Sequence, residues 1–308
     1  MISTTDGPVE WLKDRFVANF IEFGQGPKSQ IEILLVHQTR VDALFLDSLP
    51  HLKGIIRLGV GYDKVDLKAC EERKVSVTNI PGYCTEEVAM SSIAFALDWA
   101  RGNSELESKL VINPARWQKH SVSRLKGFSD LTFGVIGAGR IGARTLSIAQ
   151  SLSFKTCYFD PHVDHLLEAQ KMLSLDELLK ASDIVSLHVP LNDETSGMIT
   201  NSFIQSMRPQ SLLINTARGG LLGNVNAVIQ GLEGHHLSSA CFDVLPDERD
   251  VEGSILFQKW KKGTFQGRLR ITPHNAFFSQ ASQTKLMTDA AFEVDCFLTH
   301  GRFNQAII

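Results

Sequence analysis

A glycine-rich turn between a short apolar run and a helical pattern constrains this chain more than any other segment. Residues 132–136 (TFGVI) predict a buried strand, and residues 137–142 (GAGRIG) follow it as a GxGxxG motif. In this motif the first glycine permits a tight turn, the second lets backbone approach a pyrophosphate, and the third allows close packing of helix on strand. The N–H groups at the start of the helix then favour bound phosphate. The motif alone also fits an ordinary turn, because glycines cluster in such turns as well.

An acidic residue follows the motif at a distance typical of dinucleotide-binding units. Asp160 ends the next apolar run, 156–159, and lies 18 residues beyond Gly142. A carboxylate in this place accepts hydrogen bonds from the hydroxyl groups of an adenosine ribose. It would repel a 2′-phosphate, so the sequence favours NAD over NADP. The alternative is a turn residue that ends a strand before Pro161.

Apolar runs and helical patterns alternate along most of the 308 residues. Apolar runs without polar alternation, separated by helices, indicate parallel sheets covered on both faces. A chain of this length exceeds what one core usually supports, which is about 250–300 residues. The predicted fold class is therefore α/β, with two Rossmann-like doubly wound parallel-sheet domains and a cleft between them. The strands are expected at 33–36, 54–58, 75–79, 132–136, 156–159, 184–188, 212–215 and 239–242.

Composition excludes several classes of partner. The 31 basic and 34 acidic side chains give a net charge of −3, so no nucleic-acid footprint is expected. No apolar run approaches the roughly 20 residues of a membrane span, and the first residues lack the pattern of a signal peptide. Five scattered cysteines suit a reducing cytoplasm. The histidines show no spacing typical of a zinc site, so no metal is predicted.

Three later segments each place a polar group at a strand end. Arg218 and two glycines follow 212–215, an acidic loop with Asp243 and Glu248 follows 239–242, and His274 follows Pro273. Carboxyl ends of parallel strands are where α/β sheets bind ligands, and an arginine fork suits a carboxylate. Taken singly, each segment also fits a plain explanation: a surface ion pair, a solvated acidic loop, or a histidine with satisfied hydrogen bonds.

Six motifs occur in order along the chain. They are RLGVGYD at 57–63, the glycine motif at 137–142, HVPL at 188–191 leading to Thr195, NTARGG at 215–220, Asp243 with Glu248, and TPH at 272–274. In this order and approximate spacing they resemble the D-isomer-specific 2-hydroxyacid dehydrogenase family over nearly the whole chain. The stretch HNAFFS at 274–279 is most similar to the C-terminal-binding-protein-like subgroup.

The resemblance implies an Arg/Glu/His catalytic set. Arg218 would bind the carboxylate and carbonyl of a 2-oxo acid, His274 would be the acid–base, and Glu248 would hold the imidazole. These roles agree with the chemistry, because histidine titrates near neutral pH and a carboxylate partner favours the imidazolium.

The resemblance also implies the domain boundaries and the residues that contact each ligand. Residues 1–101 with 281–308 would form the substrate-binding (catalytic) domain, and 102–280 the NAD-binding Rossmann domain. Asp243 would meet the nicotinamide carboxamide. The substrate would contact Gly59, Val60, Gly61, Arg218 and His274. The implied NAD-binding residues are Gly137, Gly139, Arg140, Ile141, Gly142, Asp160, His188, Val189, Pro190, Thr195, Thr216, Ala217, Arg218, Asp243 and His274.

Two classes of function stay open. The first is an NAD-dependent oxidoreductase that moves a hydride between NAD(H) and a small 2-hydroxy or 2-oxo acid. The alternative is an NAD-sensing, corepressor-like scaffold that binds a protein partner with little or no turnover. The complete catalytic set favours the enzyme, because a scaffold has no chemical need for it. An unrelated dinucleotide fold does not explain the first-domain motif at 57–63.

Assembly and two departures complete the sequence-based expectations. Relatives usually dimerise through the nucleotide-binding domain, and apolar residues within 105–126 suffice for an isologous contact, so a homodimer is predicted. Arg249 stands where the family usually has proline, and segment 257–270 is longer and more basic than usual. Both departures bear on the position of Glu248.

Overall fold

The computed structural model describes residues 1–6, 10–16, 18–117, 121–122, 125–166 and 168–308. They form two units, one of residues 1–84 with 278–308 and one of residues 85–277. Each unit contains its own parallel sheet, with helices between the strands. The predicted α/β class with two parallel sheets is therefore confirmed.

Strands and helices alternate along the chain. The first segment forms β1 (Ile2–Thr4), α1 (Glu10–Arg15), β2 (Ile33–Val36), α2 (Ala43–Asp47), β3 (Gly54–Arg57), α3 (Leu67–Glu72) and β4 (Ser76–Asn79). The second unit forms α4 (Thr85–Arg101), α5 (Asn103–Ile112), β5 (Thr132–Ile136), α6 (Arg140–Ser151), β6 (Lys155–Phe159), β7 (Gln170–Lys171), α7 (Leu175–Ala181), β8 (Ile184–Leu187), α8 (Asn201–Ser206), β9 (Ser211–Asn215), α9 (Val225–Glu233), β10 (Leu237–Phe242), α10 (Ile255–Lys261) and β11 (Leu269–Ile271). The chain returns to the first unit as α11 (Gln280–His300).

The sheet of the first unit has the order β1-β2-β3-β4, with every neighbouring pair parallel. Phe20 forms a further parallel bridge to Ile2, although it precedes β2 in the chain. Successive segments of the chain therefore lie on both sides of β1. The side chain of Ile55 packs with residues of α2 and α3. A Cβ on the preceding Gly54 would lie 2.7 Å from Phe303, so aromatic residues of the C-terminal segment press on this strand.

The sheet of the second unit has the order β11-β10-β9-β8-β5-β6-β7, again parallel throughout. The chain starts at β5 and builds outward first through β6 and then through β8, which is the doubly wound topology with its switch point between β5 and β8. Val135 packs with residues of α4 and α6, whereas the next residue, Ile136, packs with the cluster that contains α8 and α9. Alternate strand residues thus face two helical layers, which explains the unbroken apolar runs.

The boundaries of the units differ from the domain boundaries expected from the sequence. The structure divides the chain after Cys84 and after Phe277, instead of after residues 101 and 280. The reason is α4, whose residues Ile93 and Trp99 belong to the same buried cluster as β5. The helix follows the first sheet in sequence but packs on the second. Residues 118–120 and 123–124 of the connector lie outside the described residues.

Asp6 ties two strand ends of the first unit together. Its carboxylate accepts hydrogen bonds from the backbone N–H groups of His37 (2.9 Å), Gln38 and Thr39 (2.9 Å), in the loop after β2. Burial opposes ionisation of Asp6, but these hydrogen bonds outweigh it and hold the pKa of the carboxyl below its usual value. The charged form of Asp6 is therefore favoured by the fold.

We expect Asp6→Asn to lower the free energy of unfolding by about 1–3 kcal/mol at pH 7, because N–H groups lose a charged acceptor. A carboxyl with a lowered folded-state pKa contributes stability above its unfolded pKa of about 3.9 and loses it as the pH falls through the folded value. The difference between the two proteins should therefore shrink below about pH 4. Urea unfolding at several pH values measures this, with the exposed Asp14→Asn as the control. A difference that stays constant with pH would show that ionisation of Asp6 is irrelevant.

Candidate active site

The glycine turn has the geometry that its sequence predicts. It joins β5 to the twelve-residue helix α6, and Gly137 has φ +88°, a conformation that favours glycine. A Cβ on Gly142 would lie 1.9 Å from the carbonyl oxygen of Gly137, so the helix can approach the turn only without a side chain there. At Gly139 a Cβ would meet nothing within 4 Å. The turn therefore leaves open space beside backbone at the N-terminus of α6, which fits a pyrophosphate.

Asp160 lies directly after β6, the neighbour of β5 in the sheet. Its Oδ2 accepts a hydrogen bond from the N–H of Ala138 (2.7 Å), within the glycine turn, and its Oδ1 accepts one from the N–H of His162 (2.8 Å). The acidic residue and the turn are thus adjacent, as the motif predicts. Asp160 also acts as a turn residue at the end of its strand, because its hydrogen bond with the N–H of His162 lies within the turn after β6.

The segment after β8 lies on the other side of the switch point. A Cβ on Gly137 would meet Val189 and the carbonyl group of His188, at 2.7 and 2.8 Å, so this segment is in close contact with the glycine turn. Burial lowers the pKa of His188 to about 3, so its imidazole is neutral, and Nε2 lies 2.9 Å from Ser186 Oγ. The Thr195 hydroxyl donates to the carbonyl of Pro190 (2.6 Å) and closes the loop.

Arg218 lies in the loop after β9. Its backbone is extended, with φ −145° and ψ 138°, and it precedes a short 3-10 helix at Gly219–Leu221. Its Nη1 donates to the carbonyl of Ala217 at 2.8 Å, and the residue is half-buried. A Cβ on Gly219 would lie 1.9 Å from the carbonyl oxygen of Leu245, which explains the glycine after the arginine. The loop is thus pressed against the segment that follows β10.

Asp243 holds the loop that carries His274. The Asp243 carboxylate is 2% exposed and accepts hydrogen bonds from the Thr272 hydroxyl (2.5 Å) and from the N–H groups of Asn275 (3.0 Å) and Ala276 (2.9 Å). Its backbone carbonyl accepts from the N–H of His274 (2.7 Å). A contact between Asp243 and the nicotinamide carboxamide stays a prediction. What the structure shows is that Asp243 anchors the loop that carries His274.

His274 and Glu248 form a hydrogen-bonded pair. His274 Nδ1 lies 2.8 Å from Glu248 Oε2, and each side chain is about one-third exposed, at 33% and 37%. The backbone of His274 has φ +51°, uncommon for a residue with a side chain and often found at functional sites. Its ring also meets the ring of Phe277 edge-on, with centroids 6.0 Å apart. The nearby departures, Arg249 and segment 257–270, thus leave Glu248 within hydrogen-bond distance of the imidazole.

The glycine turn of the first unit is also tightly specified. Gly59 has φ +145°, and a Cβ there would overlap the guanidinium of Arg57. The carbonyl of Gly59 accepts from the N–H of Ile80 (3.1 Å), and the carbonyl of Val60 accepts from the side chain of Asn79 (2.5 Å). Carbonyl groups of this turn are therefore used within the unit. A substrate contact by Gly59, Val60 and Gly61 stays a prediction.

The second unit brings most of the predicted residues to one edge of its sheet. Because parallel strands end together, the loops after β5, β6, β8, β9, β10 and β11 all lie at the carboxyl edge, where such sheets bind ligands. Sequence reasoning missed the buried polar side chains that hold these loops, chiefly Asn215 and Ser92. A polar residue that ends an apolar run was the available signal for Asn215.

Among the described residues, no group of three or more His, Cys, Asp or Glu side chains is arranged to hold a metal ion. No helix in this part of the chain is long and apolar enough to span a membrane.

Comparison with known proteins agrees with this dinucleotide-binding architecture. The family model of the D-isomer specific 2-hydroxyacid dehydrogenase, NAD binding domain, matches residues 93–276. The chain is 32% identical over 250 residues to glyoxylate reductase of Thermococcus litoralis, covering 74% of each protein. It is 32% identical over 269 residues to D-3-phosphoglycerate dehydrogenase of Mycobacterium tuberculosis, covering 86% of this chain and 49% of that protein. The structure of D-lactate dehydrogenase from Aquifex aeolicus, complexed with NAD and lactic acid, superposes with a TM-score of 0.82 and 27% identity over 98% of both chains.

The chain belongs to the D-isomer specific 2-hydroxyacid dehydrogenase family and contains its NAD-binding domain. The predicted family, enzyme class and cofactor are thereby confirmed. The chain spans about half the length of the phosphoglycerate dehydrogenases that it matches. Closer similarity to the C-terminal-binding-protein-like subgroup and a cytoplasmic location stay predictions.

Proposed function

We propose that this chain interconverts a small 2-oxo acid and the corresponding 2-hydroxy acid, with NAD(H) as the hydride carrier. The observation that carries the proposal is the His274–Glu248 pair, 2.8 Å apart, at the same sheet edge as the glycine turn and Arg218. An acid–base beside a carboxylate anchor and a dinucleotide turn suits hydride transfer coupled to proton transfer. Relatives that act on glyoxylate and lactate by name support this substrate class.

The roles of the side chains follow from their hydrogen bonds. When bound, NADH supplies the hydride that reduces C2 of the oxo acid. A Glu248 carboxylate accepts the Nδ1–H of His274, which leaves Nε2 as the nitrogen that gives a proton to the C2 oxygen during reduction and takes it back during oxidation. Arg218 offers two parallel N–H donors for the substrate carboxylate. We also propose that the turn at Gly59, Val60 and Gly61 binds that carboxylate through the N–H groups of Val60 and Gly61, since the N–H of Gly59 donates to the carbonyl of Arg57 (2.9 Å).

A screen of 2-oxo acids tests the proposal. Oxidation of NADH is followed with glyoxylate, pyruvate and 2-oxo acids that carry branched or aromatic side chains, with His274→Ala as the inactive control. We expect turnover with at least one acid in the native protein and almost none in the variant. Saturable NADH binding without turnover of any acid would instead support the corepressor-like scaffold.

We expect the protein to bind NADH at least about tenfold more tightly than NADPH, a difference of about 1.4 kcal/mol, because a 2′-phosphate would meet the Asp160 carboxylate. Asp160→Asn keeps the size and removes the charge, so it should narrow this preference. Fluorescence titration of both cofactors measures the dissociation constants. Asp164→Asn, at a fully exposed side chain paired with Lys171, is the matched control. Equal affinity for both cofactors in the native protein would contradict the role of Asp160.

A homodimer is also proposed, with α5 and the residues after it in the contact. Helix α5 buries none of its side chains, and Val111, Ile112 and Trp117 are 78%, 65% and 65% exposed. Adjacent exposed apolar side chains favour association. We expect a dimer in sedimentation at micromolar concentration and a shift towards monomer in Val111→Asp/Ile112→Asp. Leu173→Asp, at an exposed apolar residue elsewhere in the same unit, is the control. A native monomer at these concentrations would contradict the proposal.

A further inference from the structure

Asn215 closes the turn that leads to Arg218. It is the last residue of β9 and is fully buried. Its Nδ2 donates to the carbonyl of Arg218 (2.9 Å), and its Oδ1 accepts from the N–H of Ala217 (3.0 Å). The side chain therefore bonds two peptide groups of this turn, the one between Thr216 and Ala217 and the one between Arg218 and Gly219. An apolar residue of the same size would leave both peptide groups without these bonds.

The same turn is tied to the neighbouring strand. The backbone carbonyl of Asn215 accepts from the N–H of Asp243 (3.0 Å), and the carbonyl of Asp243 accepts from the N–H of His274 (2.7 Å). One chain of backbone hydrogen bonds thus connects the ends of β9, β10 and the loop after β11. The position of the Arg218 backbone is therefore coupled to that of the loop with the acid–base.

A second buried contact reaches this turn from helix α4. Ser92 Oγ lies 2.8 Å from Thr216 Oγ1, and it also donates to the carbonyl of Val88 (3.1 Å). Ser92 is fully buried and Thr216 is 7% exposed. Because buried hydroxyl groups require partners, the pair joins the helix to the first residue of the loop. The loop is thus held by Asn215 at its base and by Ser92 at its side.

We propose that Asn215 is a positioning residue for Arg218, and that Ser92 supports the same loop from α4. The inference rests on the proposed role of Arg218 in binding the substrate carboxylate. Neither side chain is assigned to substrate or cofactor. Asn215 acts through two peptide groups of the turn, one of which contains the Arg218 carbonyl, so a small displacement there moves the guanidinium away from the carboxylate. Displacements of about 1 Å in such arrangements reduce rates about 10²-fold.

The decisive variant is Asn215→Asp, which keeps the size and the acceptor but removes the donor to the Arg218 carbonyl. We expect kcat/KM for the 2-oxo acid to fall about 10–10²-fold, with a raised KM and weaker binding of oxamate as a carboxylate-containing analogue. The dissociation constant for NADH should stay within about twofold. The matched control is Asn224→Asp, an exposed asparagine whose side chain accepts from the N–H of Asn226, a role that aspartate fills equally well.

Ser92→Ala provides an independent measurement of the same loop. It should also raise KM for the 2-oxo acid, with a smaller change in the NADH dissociation constant because its partner Thr216 is an implied NAD-binding residue. Its effect should not add fully to that of Asn215→Asp, because both residues act on one loop. If Asn215→Asp does not fold, Ser92→Ala decides: a selective rise in KM supports the inference, and unchanged kinetics overturn it.

Arg218→Lys separates this inference from the proposed function. If Arg218→Lys loses activity while Asn215→Asp is indistinguishable from the native protein, the positioning role is overturned and the proposed function stands. If Arg218→Lys itself retains near-native activity, the proposed role of Arg218 fails. Equal losses of NADH and 2-oxo acid binding in Asn215→Asp would show general support of the domain, which also overturns the inference.

Discussion

Replacing His274 with alanine is expected to reduce turnover of the 2-oxo acid by about 10²–10⁴-fold, the usual contribution of a positioned acid–base. The loss should appear in both directions, because the same nitrogen gives the proton in reduction and takes it in oxidation. NADH consumption and NAD reduction at saturating cofactor measure the two directions. The exposed His165→Ala is the control for removal of an imidazole from this unit.

Glu248→Gln examines the partner of this imidazole. The glutamine keeps the size but removes the negative charge 2.8 Å from Nδ1. The imidazolium loses an ionic partner, so turnover should fall, though less than in His274→Ala, and the NADH dissociation constant should be retained. If His274→Ala kept the turnover of the native protein, His274 would not be the acid–base. If only Glu248→Gln kept that turnover, the role of Glu248 would be limited to a structural contact.

Arg218→Lys is expected to lower kcat/KM for the 2-oxo acid by about 10²-fold, with little change in the dissociation constant for NADH. Lysine keeps the charge, but it is a point donor and lacks the planar fork that binds a carboxylate through two parallel hydrogen bonds. Steady-state kinetics give the first quantity, and fluorescence titration gives the second.

Arg208→Lys is the matched control for this substitution. Arg208 lies just before β9 and forms an ion pair with Asp183, whereas Arg218 lies just after the same strand. The same chemical change at the opposite end of the strand should leave the kinetics unaffected. If Arg218→Lys leaves the kinetics unaffected as well, Arg218 does not bind the substrate, and the carboxylate of the substrate is bound elsewhere.

The sequence predicted the five inner strands of the second sheet, β5, β6, β8, β9 and β10, and missed the edge strands β7 and β11, whose residues are mostly not buried. The expected run 132–136 coincides with β5, and the expected 212–215 and 239–242 lie within β9 and β10. Burial on both faces removes polar alternation, so the strands stand out as apolar runs between helices. In the first unit, the short strands at 33–36 and 54–57 were recognised for the same reason.

The position of the candidate site was equally accessible to sequence reasoning. A glycine motif after one strand, an acid after the next, and polar residues after three later strands must meet at one edge if all the strands are parallel. The chemical types of Arg218, Glu248 and His274 are set by their side chains alone. The fold brings these residues near one another, because the parallel strands of the second unit place their loops at one edge of the sheet.

Tertiary structure alone decided which element packs where and which side chains hold the loops. Helix α4 follows the first sheet in the chain, but it packs against α6 and β9 of the second unit, because burial depends on the surface that an element meets and not on its neighbours in sequence. The sequence likewise did not reveal the hydrogen bonds of Asn215, Ser92 and Asp243, since each side chain acts through partners that are distant in the chain or on the nearby backbone. Local periodicity and motif spacing therefore determined the strands, the glycine turn and the chemical groups of the site, whereas long-range packing and buried hydrogen bonds determined the unit boundaries and the orientation of the loops.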